Sequence, residues 1–213
     1  MNHISLQPNQ QAITPNKIIC VGRNYVAHIE ELGNEITQAI AENMVLFGKP
    51  NSAIGLDLNA KHGGLDGEDL HYEAELCFLV KNHKFVAIAI GLDLTKRNLQ
   101  TKLRNKGLPW ERSKAFDGSA LFSDFVPLSN ISDELNFSLE IDGKTRQQGD
   151  VGLMIYKPQQ ILAEITKFCS LQDGDIVMTG TPSGVGLVNS GKKFEAKLYD
   201  GDQLLVSQRW SVK

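Results

Sequence analysis

The sequence has little cysteine and nowhere a Cys-x-x-Cys pair. Cys20, Cys77 and Cys169 are odd in number, far apart and set among apolar neighbours. Structural zinc sites and disulfide frameworks need close or paired cysteines, so neither is expected here, and buried, inert thiols are. Long apolar runs are missing too: none reaches the roughly 18 residues that cross a bilayer as a helix. Residues 1–11 are polar and lack the apolar centre of a signal peptide, so a cytoplasmic protein with no membrane partner is expected. There is no excess of one charge sign: 22 basic residues stand against 25 acidic ones. That balance gives no electrostatic footprint for nucleic acid. Repeats and low-complexity tracts are absent. The 213 residues suffice for a single domain with a sizeable core, with residues 1–16 as an N-terminal extension.

Against this background the informative feature is alternation. Residues 71–80 place His71, Glu73 and Glu75 on one side and Tyr72, Ala74, Leu76, Phe78 and Val80 on the other. That is the period of a half-buried strand. Further strands are predicted at 18–21, 45–47, 85–90, 135–141, 176–178, 193–198 and 203–210, with turns at Asp142-Gly143, Asp173-Gly174-Asp175 and Asp200-Gly201. Three short helices are predicted. One runs from an Asn24 cap to Leu32 with Gly33 as its stop, and one spans residues 96–106 with Thr95 as cap and Leu99 and Leu103 inward. The third starts at Pro158 with Ile161, Leu162, Ile165 and Phe168 on one face. A polar, mobile connection is expected over 33–43 and a turn-rich one over 54–68. Hairpins dominate without a βαβ rhythm, so the expected class is a β-rich α+β fold with a few short helices.

Glu73 and Glu75, roughly 7 Å apart on one strand face, repel each other unless a cation lies between them. Asp93, after a second strand, stands where it can close that face. An all-oxygen set with no cysteine and one optional histidine, His71, suits Mg²⁺, Mn²⁺ or Ca²⁺ better than zinc; the alternative is a solvated face with scattered acids. His28 and Glu31, three apart on the first helix, are a candidate base and its orienter, or an exposed helical pair. Lys114 is a candidate for stabilising an oxyanion, or a surface lysine paired with Asp117. The segment Thr179-Gly180-Thr181-Pro182-Ser183-Gly184-Val185-Gly186 permits a backbone nest for a carboxylate. It lacks the Gly-Lys-Ser/Thr of a phosphate loop, and a structural turn is its alternative.

Several segments, taken in order, carry a resemblance. They are Val21-Gly22-Arg23-Asn24-Tyr25 with His28 and Glu31, Gly48-Lys49-Pro50, and His71-x-Glu73-x-Glu75. After them come Leu92-Asp93-Leu94-Thr95-x-Arg97, Gly107-Leu108-Pro109-Trp110, Lys114 and Thr179-Gly180-Thr181-Pro182-x-Gly184-Val185-Gly186. Each is modest alone, but their order and spacing are specific. Together they resemble the fumarylacetoacetate hydrolase family, and most closely its short, single-domain branch of acylpyruvases and fumarylpyruvate hydrolases.

The resemblance implies one catalytic domain over residues 1–213, folded as a fumarylacetoacetase-type mixed β-roll and usually a homodimer. It implies Mg²⁺, with Mn²⁺ or Ca²⁺ as alternatives, on Glu73, Glu75 and Asp93. It further implies a lid helix bearing catalytic His28 and Glu31, Lys114 as a third catalytic group, and a substrate pocket drawn from Arg23, Tyr25, Arg97, Gln100, Gly180 and Thr181. The implied reaction is hydrolysis of the C–C bond in 3-acylpyruvate-type 2,4-dioxo acids, such as fumarylpyruvate or acetylpyruvate, through a metal-held pyruvate enolate. Similar proteins instead decarboxylate or tautomerise oxaloacetate, or isomerise or hydrate unsaturated 2-oxo acids of aromatic catabolism. The chain departs from the family pattern at residues 118–123, where a proline-containing segment is usual. A further upstream metal ligand of the larger members has no match here.

Overall fold

The structure is a computed structural model and describes residues 1–31, 43–63 and 67–213. Leu32, the expected Gly33 stop, nearly all of the polar 33–43 stretch and Gly64 lie outside the described residues.

Alternating apolar residues give each strand two faces, and the fold covers both. The larger sheet has seven strands. Six run across it in the order Ala120–Phe122, Lys84–Asp93, Ala74–Lys81, Ile176–Met178, Lys17–Gly22 and Val45–Pro50, and Val126–Pro127 joins along Lys84–Asp93. Neighbours are antiparallel except Ile176–Met178, which lies parallel to Lys17–Gly22. The smaller sheet is antiparallel throughout, in the order Lys144–Asp150, Leu135–Ile141, Lys193–Asp200 and Gln203–Ser211. With its few short helices this is the expected β-rich α+β roll.

On one face of the large sheet Leu76, Phe78, Ile88 and Ile90 meet Phe137, Leu139, Phe194 and Leu198 of the small sheet. Ile19, Val21 and Val177 continue that face against Ile161 and Ile165 of the helix Pro158–Ile165. The opposite face carries Cys20, Cys77, Leu79, Ala89 and Met178, covered by Ile4 and Phe125. Each such large side chain contributes about 1.5–3 kcal/mol by leaving water. Ile4 belongs to a hairpin of Ile4–Leu6 with Gln11–Ile13, which packs on the core through Ile4, with Leu6 and Ile13 partly buried against it.

Several local expectations change in this context. The strand Ala74–Lys81 is buried on both faces up to Lys81, because layers cover the sheet on both sides. The next strand runs on to Asp93, so Gly91 and Asp93 lie inside it. Thr95 does not cap the helix Arg97–Asn105: the cap position is Lys96, without a side-chain bond, and the Thr95 hydroxyl faces Lys114. Asn24 uses its side chain on distant loops, donating to the carbonyls of Tyr156 and Thr179 and accepting from the Tyr156 N–H. The helix it was expected to cap is Val26–Glu31 among the described residues. Phe168 is exposed, since the helix from Pro158 ends at Ile165.

Candidate active site

Strand parity assembles the site. Register pairs Glu75 with Gly91, so Glu75 shares a sheet face with Cys77, and Asp93 shares it with Gly91 and Ala89. Glu73 lies two residues before Glu75 on that side, and Asp93 N–H donates to the Glu73 carbonyl at 2.8 Å. Gly91 makes room: a Cβ there would lie 2.7 Å from Cys77 Sγ and 2.9 Å from the Leu121 carbonyl. The three acidic side chains are buried, and one oxygen from each lies within 4.8 Å of the others.

Three cations meet them. Lys114, on the short helix Glu111–Lys114, is buried and sends Nζ to Asp93 Oδ2 at 2.6 Å, Thr95 Oγ1 at 2.6 Å and Glu73 Oε2 at 2.8 Å. It is not the surface partner of Asp117. Arg97 pairs with Glu73 Oε1 and donates to Gln100 Oε1 at 2.7 Å. Lys49, only 1 % exposed, reaches from the strand Val45–Pro50 to within 2.9 Å of Asp93 Oδ1. Its three protons, however, go to the Lys114 carbonyl, the Ser119 carbonyl and Ser119 Oγ.

Asp93 Oδ1 is therefore a buried acceptor that receives no hydrogen bond. Such an atom, in a close all-oxygen donor set, fits a hard divalent cation. A buried acidic triad that can hold a metal ion is thus present.

The carboxyls are driven apart in proton affinity. Burial opposes ionisation of Glu73, but the charges of Lys114 and Arg97 outweigh it and hold this carboxyl well below the usual range. Glu75 is pushed well above that range by burial and by the neighbouring Asp93 and Glu73; Lys114 and one backbone N–H offset only part of this. Lys114 gains more from Asp93 and Glu73 than burial takes away, so its proton affinity rises and it stays an ammonium. A functional site is a common cause of such divergence.

The helix Val26–Glu31 sets His28 against this cluster. His28 is 5 % exposed, and its Nδ1 lies 3.4 Å from Glu31 Oε2. Burial pushes the imidazole down from 6.5, against the pull of Glu73 and Glu31, which favours the neutral form. The glycine-rich loop does bind carboxylates, but they are the chain's own. Gly180 N–H donates to Glu75 Oε2 at 2.7 Å, and Gly184 N–H donates to both oxygens of Glu31 at 3.1 Å. Both glycines need positive φ, +94° and +96°. At Gly184 a Cβ would sit 2.0 Å from the Arg146 carbonyl. The loop thus ties the helix Val26–Glu31 to the strand that bears Glu75.

One pocket brings together His28, Glu73, Glu75, Asp93, Lys114, Arg23, Arg97, Gln100 and Thr181. Thr181 is fixed at its edge, donating to the Ala74 carbonyl and accepting from Gln147 Nε2. Tyr25 is placed elsewhere: it is buried in the core and its hydroxyl donates to the Asp150 carbonyl. Gly180 stands behind Glu75 with its N–H already engaged. His71 exchanges backbone bonds with Thr95 and lies outside the triad. The divergent segment 118–123 forms an edge strand and supplies Ser119 to Lys49.

Sequence reasoning gave no role to Lys49, Arg104, Phe47 or Trp110. Phe47, Arg104 and Trp110 line this pocket. Arg104 had a usable signal, since Arg97, Gln100 and Arg104 fall at i, i+3 and i+7 on one helix face. Lys49 had none beyond its place in a motif, because its partners lie 44 to 70 residues away.

Comparison with known proteins places the chain among relatives. A model of the fumarylacetoacetate (FAA) hydrolase C-terminal family matches residues 17–209. Oxaloacetate tautomerase YcgM of Escherichia coli (strain K12) is 38% identical over 204 residues, 89% of this chain and 90% of the relative. The mitochondrial oxaloacetate tautomerase FAHD1 of Homo sapiens is 34% identical over 209 residues, covering 92% of this chain and 91% of the relative. Among solved structures, fumarylpyruvate hydrolase from Pseudomonas aeruginosa, in complex with Mn2+ and pyruvate, superposes with a TM-score of 0.84 at 30% identity, covering 100% of this chain and 96% of that one. With its family model matched across nearly the whole chain and relatives this similar along their full length, the chain belongs to the fumarylacetoacetate hydrolase family.

Proposed function

We propose that the chain is a divalent-metal-dependent enzyme of small 2-oxo acids, and that its main reaction is keto–enol tautomerisation of oxaloacetate. The observation that carries this is the buried Glu73, Glu75 and Asp93 triad, in which Asp93 Oδ1 receives no hydrogen bond, walled by Arg97, Gln100 and Lys114. A bound cation there supplies Lewis acidity toward the carboxylate and 2-oxo oxygens of such an acid. The Escherichia coli and human relatives carry the tautomerase name, which favours this reaction over others on the same site.

In tautomerisation of the enol, the C2 hydroxyl proton leaves and C3 gains one. Lys114 stays protonated beside Asp93 and Glu73, so it is not the base; with its three protons engaged, it steadies negative charge on the C2 oxygen by its ammonium charge. His28, neutral and facing the pocket, is the group that takes and returns the proton, oriented by Glu31 through Nδ1. Arg97 and Gln100 hold the substrate carboxylate side of the pocket.

The His28–Glu31 pair also favours a second reading, C–C hydrolysis of 3-acylpyruvates. There His28 takes a proton from water, the hydroxide adds to the distal carbonyl, the C3–C4 bond breaks and C3 is protonated. The fumarylpyruvate hydrolase relative supports it.

The deciding assay follows enol-oxaloacetate by ultraviolet absorbance with Mg²⁺, beside acetylpyruvate and fumarylpyruvate. Wild-type protein is expected to speed ketonisation of oxaloacetate, and Glu73→Gln to lose it. Faster turnover of the acylpyruvates than of oxaloacetate makes hydrolysis the main reaction. Mg²⁺-independent ketonisation rejects the metal role.

A further inference from the structure

The pocket holds more positive charge than the triad accounts for. Lys49, Lys114 and Arg97 are each in contact with Glu73 or Asp93. Arg23 and Arg104 line the same pocket, and among the described residues neither has a carboxylate partner. A divalent cation on the triad adds two further charges, so the loaded pocket favours a ligand with more than one negative charge.

The placement of Arg104 is built. It lies seven residues beyond Arg97, two turns or roughly 10 Å further along the helix axis. Helix side chains lean toward the N-terminus, which aims Arg104 back over Gln100 and the pocket. Its guanidinium rests 5.9 Å from the Trp110 ring centre, and Trp110 in turn meets Phe47 at 6.3 Å. Arg23, which follows the strand Lys17–Gly22, lines the same pocket with a left-handed backbone, φ of +61°. Burial and the nearby Arg23 and Arg97 lower the proton affinity of Arg104, as expected where like charges converge without an anion between them.

We infer that Arg104, with Arg23, forms an outer carboxylate subsite that selects dicarboxylic over monocarboxylic 2-oxo acids. This rests on the 2-oxo acid reading of the inner site. The inner carboxylate and oxo oxygens meet the triad end of the pocket, and the second carboxylate, two carbons further on in a four-carbon diacid, meets the guanidiniums of Arg23 and Arg104. Arg is suited to this by its planar, bidentate donor fork. Arg104 is a specificity residue and touches no atom at which bonds change.

The test pairs two inert probes, L-malate and L-lactate, which present the same 2-hydroxy acid and differ in the second carboxylate. Calorimetric titration of the full chain with Mg²⁺ is expected to show malate binding tighter than lactate, on the order of tenfold, as a charge-assisted pair supplies. Arg104→Gln should remove that preference and leave lactate affinity unchanged, while Arg104→Lys should keep part of it. In the oxaloacetate assay Arg104→Gln should raise KM by a similar factor with kcat retained. A wild type that binds malate no tighter than lactate overturns the subsite, as does an Arg104→Gln protein that keeps the preference or loses both probes equally. If the wild type fails to tautomerise oxaloacetate, the reaction assignment falls, and the malate-to-lactate ratio still decides the subsite.

Discussion

At the scale of the residue, the site depends on buried charges that hold one another. Lys49 has no route to water, and its contact with Asp93 is met from behind by Lys114 and Ser119 oxygens. Lys49→Met leaves Asp93 without that neighbour, and loss of one partner from a buried pair costs about 3–5 kcal/mol. Urea denaturation is expected to show a loss of that order, partly recovered by Mg²⁺. His28 carries the pH dependence. Burial lowers its pKa from 6.5, so below pH 6.5 the unfolded chain gains a proton that the folded one refuses. Its contribution to stability is therefore complete above pH 6.5 and is lost as pH falls toward the folded value. Denaturation at pH 7.5 and 5.5 should show this difference, and His28→Gln should shrink it. The acid limb of kcat/KM should likewise fall below pH 6.5. The thiols behave differently from one another: burial pushes Cys20 and Cys77 up, whereas Cys169 is partly exposed. A thiol reagent should label Cys169 alone in the native protein and all three in urea.

At the scale of the element, the glycine-rich loop shows how a turn becomes machinery. Gly184 and Gly107 both have positive φ, +96° and +64°. A Cβ at Gly107 meets nothing within 4 Å, whereas one at Gly184 runs into the Arg146 carbonyl. Gly107→Ala should therefore cost about 1–2 kcal/mol for its backbone alone. Gly184→Ala should cost more, lower Tm further and release Glu31, so that activity falls by more than stability explains. Thermal melts beside kcat measurements check both. The strands were legible because period-two alternation is local: 135–141 shows it plainly in the chain, and 71–80 shows it although the strand breaks at Glu73 into His71–Tyr72 and Ala74–Lys81. The caps were not. Asn24 and Thr95 are ordinary helix-capping residues by type, yet distant groups, Tyr156, Thr179 and Lys114, claim their side chains. Propensity cannot weigh a partner that the fold brings from elsewhere in the chain, 19 residues away for Thr95 and more than a hundred for Asn24.

At the scale of the whole molecule, the pocket draws its walls from the larger sheet, from the helices Val26–Glu31, Arg97–Asn105 and Glu111–Lys114, and from Thr181. A cation that binds only the folded form stabilises it by about 2.7 kcal/mol at a hundred times its Kd. Mg²⁺ is expected to raise the Tm of the wild type and to leave that of Glu75→Gln nearly unchanged, which tests the ligand set without any substrate. Topology was the least legible feature. The parallel pairing of Ile176–Met178 with Lys17–Gly22 joins residues 158 apart in the chain, and no local pattern announces it.

The sequence by itself determined that Glu73 and Glu75 share a face, that a third acid stands at the end of the next strand, and that a histidine and a glutamate lie together on a short helix. These follow from side-chain periods of two and 3.6, which need only neighbours along the chain. Only the tertiary structure decided that Lys114 is buried among the carboxylates, that Lys49 backs Asp93, and that the glycine loop grips Glu31 and Glu75. It also decided that Arg23 and Arg104 face one pocket. Those outcomes depend on which strands pair and in what register, and burial then makes each charge seek the partner that the register provides.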